Sequence, residues 1–291
     1  MLVAKLREIE IHIHPTLFAL LAMYAALGLV AQALLVFTLV ISHELAHLLT
    51  ARAYGFRVVA LEIFPLGGVA HCNDTFEGRR VEESLMALAG PAWNILLLFC
   101  GQVLRWQGLW NGPLADDFVR LNFWLAAFNL VPVLPLDGGR VVRACAAGSF
   151  GFVRSTKTLA RAGQLFGLGL VCGGLVTTRL SNLAEGSVFL VILGAFLWWA
   201  GGKEVATARL TFLRQLARKK EELVRKGLMP GKVVTVRADT PLIRIVEELT
   251  PDRYALVVLT GEKFGVAKTF TETEIVEGML RDGIRLPVGK L

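Results

Sequence analysis

The segment 34–50 is apolar except for Thr38, Ser42, His43, Glu44, His47 and Thr50. It sits inside an apolar run, 33–53, of the length that crosses a bilayer: about 20 residues at about 1.5 Å each. Backbone in hydrocarbon must satisfy its own hydrogen bonds, so such a run is a helix. Five further segments have the same character, at 15–30, 85–106, 118–133, 159–176 and, shorter, 188–200. Composition agrees. Hydrophobic residues make up 54% of the 291 positions and charged residues only 19%, with a mean hydropathy of +0.57, against roughly half and a quarter in soluble domains. The expected fold is an α-helical membrane protein of six transmembrane helices.

The charge is unevenly spread. Residues 1–202 hold 14 Lys/Arg and 12 Asp/Glu, and the remaining 89 hold 17 and 12. This predicts three parts: a six-span domain over 1–202, a basic connecting helix over 203–226 and a small soluble module over 227–291. In the module the pattern reads strand (233–236), helix (241–249), strand (254–259), strand (264–267), helix (271–280), a small α/β unit. Six spans place both ends on one side. Lys5, Arg7, Arg52, Arg57, Arg79, Arg80, Arg140, Arg143, Arg154, Lys157 and Arg161 fall on that side, against Arg105, Arg120 and Arg179 on the other. Basic residues collect on the cytoplasmic face, so both termini are expected in the cytoplasm. The net charge of +7 is thus accounted for by membrane orientation, and nucleic acid is not an expected partner. Cys72, Cys100, Cys145 and Cys172 show no metal-binding spacing and imply no disulfide framework. Residues 1–13 lack the features of a signal peptide.

Residues 56–73, FRVVALEIFPLGGVAHCN, are β-branched, too short to span as a helix, and interrupted by Pro65, Gly67 and Gly68. Irregular or extended backbone at membrane depth persists only inside protein or along a wet cavity. A re-entrant hairpin beside the functional residues is one reading, and a surface loop is the other.

The chemistry resides in His43-Glu44-Leu45-Ala46-His47. Histidines four apart emerge on one helical face and can share a metal. Glu44 lies beside them and can act on a water without being a ligand. Zinc held there would lower the pKa of water and polarise a carbonyl under attack. Ionisable groups inside a membrane helix are costly and mark function; a histidine pair hydrogen-bonded within a bundle is the alternative. Catalytic zinc usually takes three protein ligands. Asp137 is the best third ligand, as the only acid between positions 118 and 151, after Pro132 and Pro135 and before Gly138-Gly139. These residues are expected to break the helix and let the chain turn towards the metal; a helix-capping aspartate is the plainer role. His12 and His14 stand just before Pro15, His71 ends the hairpin-like segment, and Gly90-Pro91 near Asn94 reads as a kink with a polar contact.

HExxH in the second span, with Asn129-Leu130-Val131-Pro132-Val133-Leu134-Pro135-Leu136-Asp137-Gly138-Gly139-Arg140 in the fourth, resembles the site-2 protease family of intramembrane metalloproteases, and the opening IHIHP brings the likeness closest to its sporulation branch. The resemblance implies one zinc per chain, ligated by His43, His47 and Asp137, with Glu44 as general base. It places Asn129, Pro135, Gly67 and Gly68 at the substrate backbone, which would bind as an added strand. The C-terminal module resembles a single CBS domain. Thr271 there matches a nucleotide-contacting position, which implies ATP as a ligand, whereas Glu274 stands where many members carry Asp, a departure that counts against it; a single CBS domain per chain implies homo-oligomerisation.

The resemblance further implies an endopeptidase acting on a membrane-associated precursor, pro-sigma-K during sporulation, under control of inhibitory membrane partners. A site-2 protease acting on an anti-sigma factor or on signal-peptide remnants shares the same chemistry. A metal transporter or metal sensor is the alternative of another class, although transporters usually show repeats and several polar spans.

Overall fold

The computed structural model describes residues 2–6, 9–13, 24–26, 28–56, 58–64, 67–72, 80–180, 184–249, 253–261, 265–283 and 285–291. Of the expected first span at 15–30, positions 15–23 and 27 therefore lie outside the described residues. The chain divides into two compact units, 1–76 with 80–141, and 77–79 with 142–291.

The first unit opens with strands β1 (Leu2–Leu6) and β2 (Ile9–Ile13), followed by helix α1 (Val30–Ala53), β3 (Val58–Phe64), β4 (Gly67–Cys72), α2 (Arg80–Trp106), α3 (Pro113–Asn129) and the start of α4 (Asp137–Phe150). The strands form one sheet in the order β1-β2-β3-β4. Within 56–73, β3 and β4 pair as the expected antiparallel hairpin, with Phe64 opposite Gly67 and Ile63 opposite Gly68. The N-terminal hairpin is an addition: IEIHI alternates with the period of a strand and LVAKL is apolar except for Lys5, but neither was assigned from sequence. Parallel pairing of β2 with β3 needs a long crossover, and that crossover carries α1. The HExxH helix lies within that crossover, and it packs against β3 and β4. Helices α2 and α3 pack closely where Gly101 meets Phe118: a Cβ on Gly101 would stand 2.9 Å from the Phe118 ring.

The second unit continues from α4 into α5 (Phe152–Leu180), α6 (Ala184–Lys226), β5 (Gly231–Arg237), α7 (Leu242–Glu248), β6 (Tyr254–Thr260), β7 (Val266–Thr271) and α8 (Glu272–Asp282). Small residues recur every seven positions along α5 and α6 and meet in antiparallel register: Ala160 with Gly201, Gly167 with Gly194, and Gly174 with Ser187. Without a hydrophobic force between helices in lipid, such close backbone approach supplies the packing. The segment 203–226, expected as a separate connecting helix, is the second half of the single 43-residue helix α6. In the module, β5 and β6 run parallel across α7, β6 and β7 form a hairpin, and the sheet order is β5-β6-β7. Its core of Val236, Leu242, Ile245, Leu249, Val257, Phe270, Ile275 and Val288 also takes in Phe152 and Val153 from the start of α5.

Four described helical segments are long and apolar enough to cross a membrane: Val30–Ala53, Arg80–Trp106, Phe152–Thr178 and Gly186–Ala208. Large apolar side chains such as Leu49, Phe99, Leu165 and Phe189 are exposed along them, as expected of a lipid-facing surface. The expected fourth span, 118–133, is the 17-residue helix α3, which starts earlier and stops at Asn129.

Candidate metal centre

Helix α1 presents His43 and His47 one turn apart, with His43 buried and the His47 side chain nearly so. Their Nε2 atoms are 3.0 Å apart. Asp137 Oδ2, from the first turn of α4, lies 3.3 Å from His43 Nε2 and 3.2 Å from His47 Nε2. Two imidazole nitrogens and a carboxylate oxygen thus form a nearly equilateral triangle, the metal-ligating cluster among the described residues. Tetrahedral zinc with bonds of about 2.0–2.1 Å holds its donor atoms about 3.3–3.4 Å apart. The triangle lies close to that spacing, with the His43–His47 edge the short one at 3.0 Å.

Both imidazoles are oriented from behind. His47 Nδ1 donates to the Met86 carbonyl at 2.7 Å, and His43 Nδ1 to Asn94 Oδ1. Each ring therefore turns its Nε2 lone pair towards the shared position, the arrangement usual for metal-binding histidines. Helix α2 supplies both partners from one buried face, Met86, Gly90 and Asn94. Its Gly90 lies against the donor atoms, since a Cβ there would stand 2.6 Å from His43 Nε2 and closer still to His47 Nε2. The Gly90-Pro91 pair is inside one continuous helix, and the importance of Gly90 lies in its contact with the histidines.

Asp137 reaches the centre because the chain folds back on itself between α3 and α4. Val133 N–H donates to Val131 O at 2.8 Å, Leu136 N–H to Val133 O at 3.0 Å, and Arg140 N–H to Leu136 O at 3.1 Å. Gly138 and Gly139 were expected to break a helix; instead they form the first turn of α4. A Cβ on Gly138 would meet the carbonyl of Val131 at 2.7 Å, and one on Gly139 would be 2.5 Å from Leu134 N. The pair is needed for the loop to lie flat on the helix start.

Glu44 follows His43 on α1, half-buried. Asn129 closes α3 with its amide donating to Leu125 O at 3.0 Å, and Pro135 is half-buried in the loop before Asp137. Gly67 and Gly68 open β4. In the C-terminal module, Thr271 and Glu274 bond each other in a capping box at the start of α8. The Thr271 N–H, and then its hydroxyl, hold the Glu274 carboxyl below the usual glutamate value. A cleft of about 450 Å³ in this unit opens elsewhere, lined by Arg154, Thr235, Arg237, Thr240 and Arg244 among others. His12 lies on β2 and His71 on β4, with His14 outside the described residues. Sequence reading saw Asn94 only as a polar contact and passed over Asn122, whose signal was a polar residue inside an apolar span.

Residues 31–106 and 116–170 match the model of Peptidase family M50, and those ranges hold both metal-binding segments. This chain belongs to the site-2 protease family. It is a zinc metalloprotease of that family, and it is similar to a zinc metalloprotease of Methanocaldococcus jannaschii, 26% identical over 98% of this chain and 82% of the relative. It is also similar to the stage IV sporulation protein FB of Bacillus subtilis, 28% identical over 46% of each chain. Among solved structures, the site-2 protease from Methanocaldococcus jannaschii covers 70% of this chain and 94% of its own at a TM-score of 0.57 and 26% identity. That likeness gives this chain the site-2 protease fold.

Proposed function

We propose that this metalloprotease is an intramembrane endopeptidase that cuts a membrane-associated protein precursor. The observation that carries the reading is the triangle of His43, His47 and Asp137 buried among membrane-length helices, with Glu44 adjoining it on α1. His43, His47 and Asp137 would hold zinc, which when bound lowers the pKa of water towards about 7 and polarises the substrate carbonyl. The Glu44 carboxylate takes the proton of the attacking water and hands it to the amine nitrogen as the peptide C–N bond breaks. A helical substrate hides its peptide bonds and must extend before cleavage. Strand β4 is the edge of its sheet and packs on α1, so Gly67 and Gly68 suit pairing with an extended segment. Asn129, at the end of α3, and Pro135, on the loop leading to Asp137, are assigned to the same substrate backbone.

The proposed substrate is pro-sigma-K, supported by the likeness to stage IV sporulation protein FB. A second reading keeps the same chemistry with an anti-sigma factor or signal-peptide remnants as the substrate; the far wider match, to the methanogen enzyme, is to a zinc metalloprotease and favours neither substrate. Both termini are assigned to the cytoplasm on the strength of the basic residues, and inhibitory membrane partners would act at the cytoplasmic mouth. The CBS-like module is assigned to homo-oligomerisation. ATP binding there is carried by the resemblance alone, and titration of the purified protein with ATP tests it.

Co-expression with tagged pro-sigma-K, comparing the wild type with Glu44→Gln, tests the proposal. Cleavage by the wild type alone, with zinc retained in both, supports it. Equal cleavage by both removes Glu44 from the mechanism. Cleavage of an anti-sigma factor but not of pro-sigma-K selects the second reading. Metal transport unaffected by Glu44→Gln, with no proteolysis, would overturn the protease assignment.

A further inference from the structure

We infer that Asn122 on α3, which touches neither histidine, is a positioning residue that sets which nitrogen of His43 faces the metal position. The inference rests on the zinc-site reading above and concerns how the site is prepared. Asn122 Nδ2 donates to the Phe118 carbonyl at 2.8 Å. Asn94 Nδ2 donates to Asn122 Oδ1 at 2.9 Å, and Asn94 Oδ1 faces His43 Nδ1. Asn94 and Asn122 are both 0% exposed and His43 is 4% exposed.

The polarity of this relay is fixed from its far end. A backbone carbonyl only accepts, so the amide nitrogen of Asn122 must face Phe118 and its oxygen must face Asn94. Asn94 then spends its nitrogen on Asn122 and is left with an oxygen for His43. That oxygen also only accepts, so the proton of neutral His43 stays on Nδ1 and the Nε2 lone pair points at Asp137 and His47. Turning either amide over would set two N–H groups or two oxygens face to face, in a place where burial removes solvent as a substitute partner. His47 obtains the same result in one step, from Met86 O. His43 obtains it through two amides spanning three helices, so the metal-ready form of α1 depends on the seating of α3. The Gly101–Phe118 contact provides that seating.

The test uses the full-length protein in detergent and needs no substrate. Zinc affinity is read by competition with a chromophoric chelator, and the tautomer of His43 from imidazole 15N shifts of zinc-free, histidine-labelled protein, with His43→Gln marking its signal. Asn122→Leu keeps the branching at Cγ and removes the relay; it is expected to weaken zinc binding about 10–100-fold and to give His43 a mixture of tautomers. Asn122→Asp is expected to restore both, because an aspartic acid can donate to Phe118 O and still accept from Asn94. Helix content and melting temperature identify any variant that fails to fold, in which case Asn122→Ser, which keeps an oxygen, replaces it. Unchanged affinity and tautomer in Asn122→Leu would overturn the inference, as would equal losses in the Leu and Asp variants, which would mark a packing role. If the wild type cleaves no precursor yet shows this pattern, the protease reading fails and the relay stands. If the wild type binds no zinc, the tautomer spectrum still decides.

Discussion

Gly90 and His47 meet so closely that the backbone of α2 forms one wall of the metal centre: a Cβ at position 90 would crowd His47 Nε2 and lie 2.6 Å from His43 Nε2. The space it would take is the space an ion would share with those nitrogens. Gly90→Ala separates site from scaffold. Alanine favours an interior helical position over glycine by about 0.5–1 kcal/mol, which offsets part of the cost of moving the two imidazoles aside, so the metal-free protein should keep its helix content and melt only modestly lower than the wild type. Bound zinc, measured by elemental analysis, should nevertheless fall below one tenth of an equivalent, and proteolysis should fall with it. Full zinc occupancy in this variant would show that the donor atoms sit elsewhere.

Removing the metal should act reversibly, since the donor triangle is built from three rigid helical positions. Dialysis against a strong zinc chelator is expected to abolish cleavage without loss of helix content, and zinc should restore it. Asp137→Asn exchanges a charged donor for a neutral one. It should weaken zinc by at least about tenfold while leaving the α3–α4 loop in place. Circular dichroism and chelator competition on the same sample check both halves.

Along the α5–α6 seam, Gly194 approaches the Gly167 backbone and would place a Cβ 2.9 Å from Val171 N. Gly194→Leu should therefore destabilise the pair by about 1–3 kcal/mol through overpacking. Gly169→Leu, at a position where a Cβ would meet nothing within 4 Å, should leave stability unchanged. Thermal unfolding in detergent distinguishes the two, and equal behaviour would remove the seam as the source of packing.

In the C-terminal module, the Thr271 N–H holds the Glu274 carboxyl below its usual value. A depressed carboxyl contributes stability above its unfolded pKa, and that contribution is lost as pH falls through the lowered folded value. Hydrogen exchange of α8 should speed up on acidification in the wild type. Glu274→Gln should show a smaller dependence on pH, and a profile identical to the wild type would detach the capping box from acid stability.

Much of this was legible in local chemistry. The HExxH spacing requires only helical periodicity to bring two histidines to one face, so His43 and His47 were readable from a single segment. The β3–β4 hairpin followed from β-branched residues flanking Pro65 and two glycines. Asp137 was the only acid in its region, which made it conspicuous before any distance was known. By contrast, the second strand of the N-terminal hairpin was present as an alternating pattern but gained meaning only through parallel pairing with β3, a long-range contact. The continuity of α6 was hidden by a change of composition midway, because polarity changes where a helix leaves the apolar layer while its hydrogen bonding does not.

The sequence by itself determined the membrane-length helices, the ligand types and the likeness to a protease family, because each depends on residue identity and short spacing. Only the tertiary structure decided that Gly90 walls the site, that the Gly138-Gly139 pair opens a helix, and that Asn94 and Asn122 lead from His43 to a backbone carbonyl on another helix. Those relationships join residues dozens of positions apart. Their energies come from close packing and from the direction of buried hydrogen bonds, and neither leaves a period in the chain.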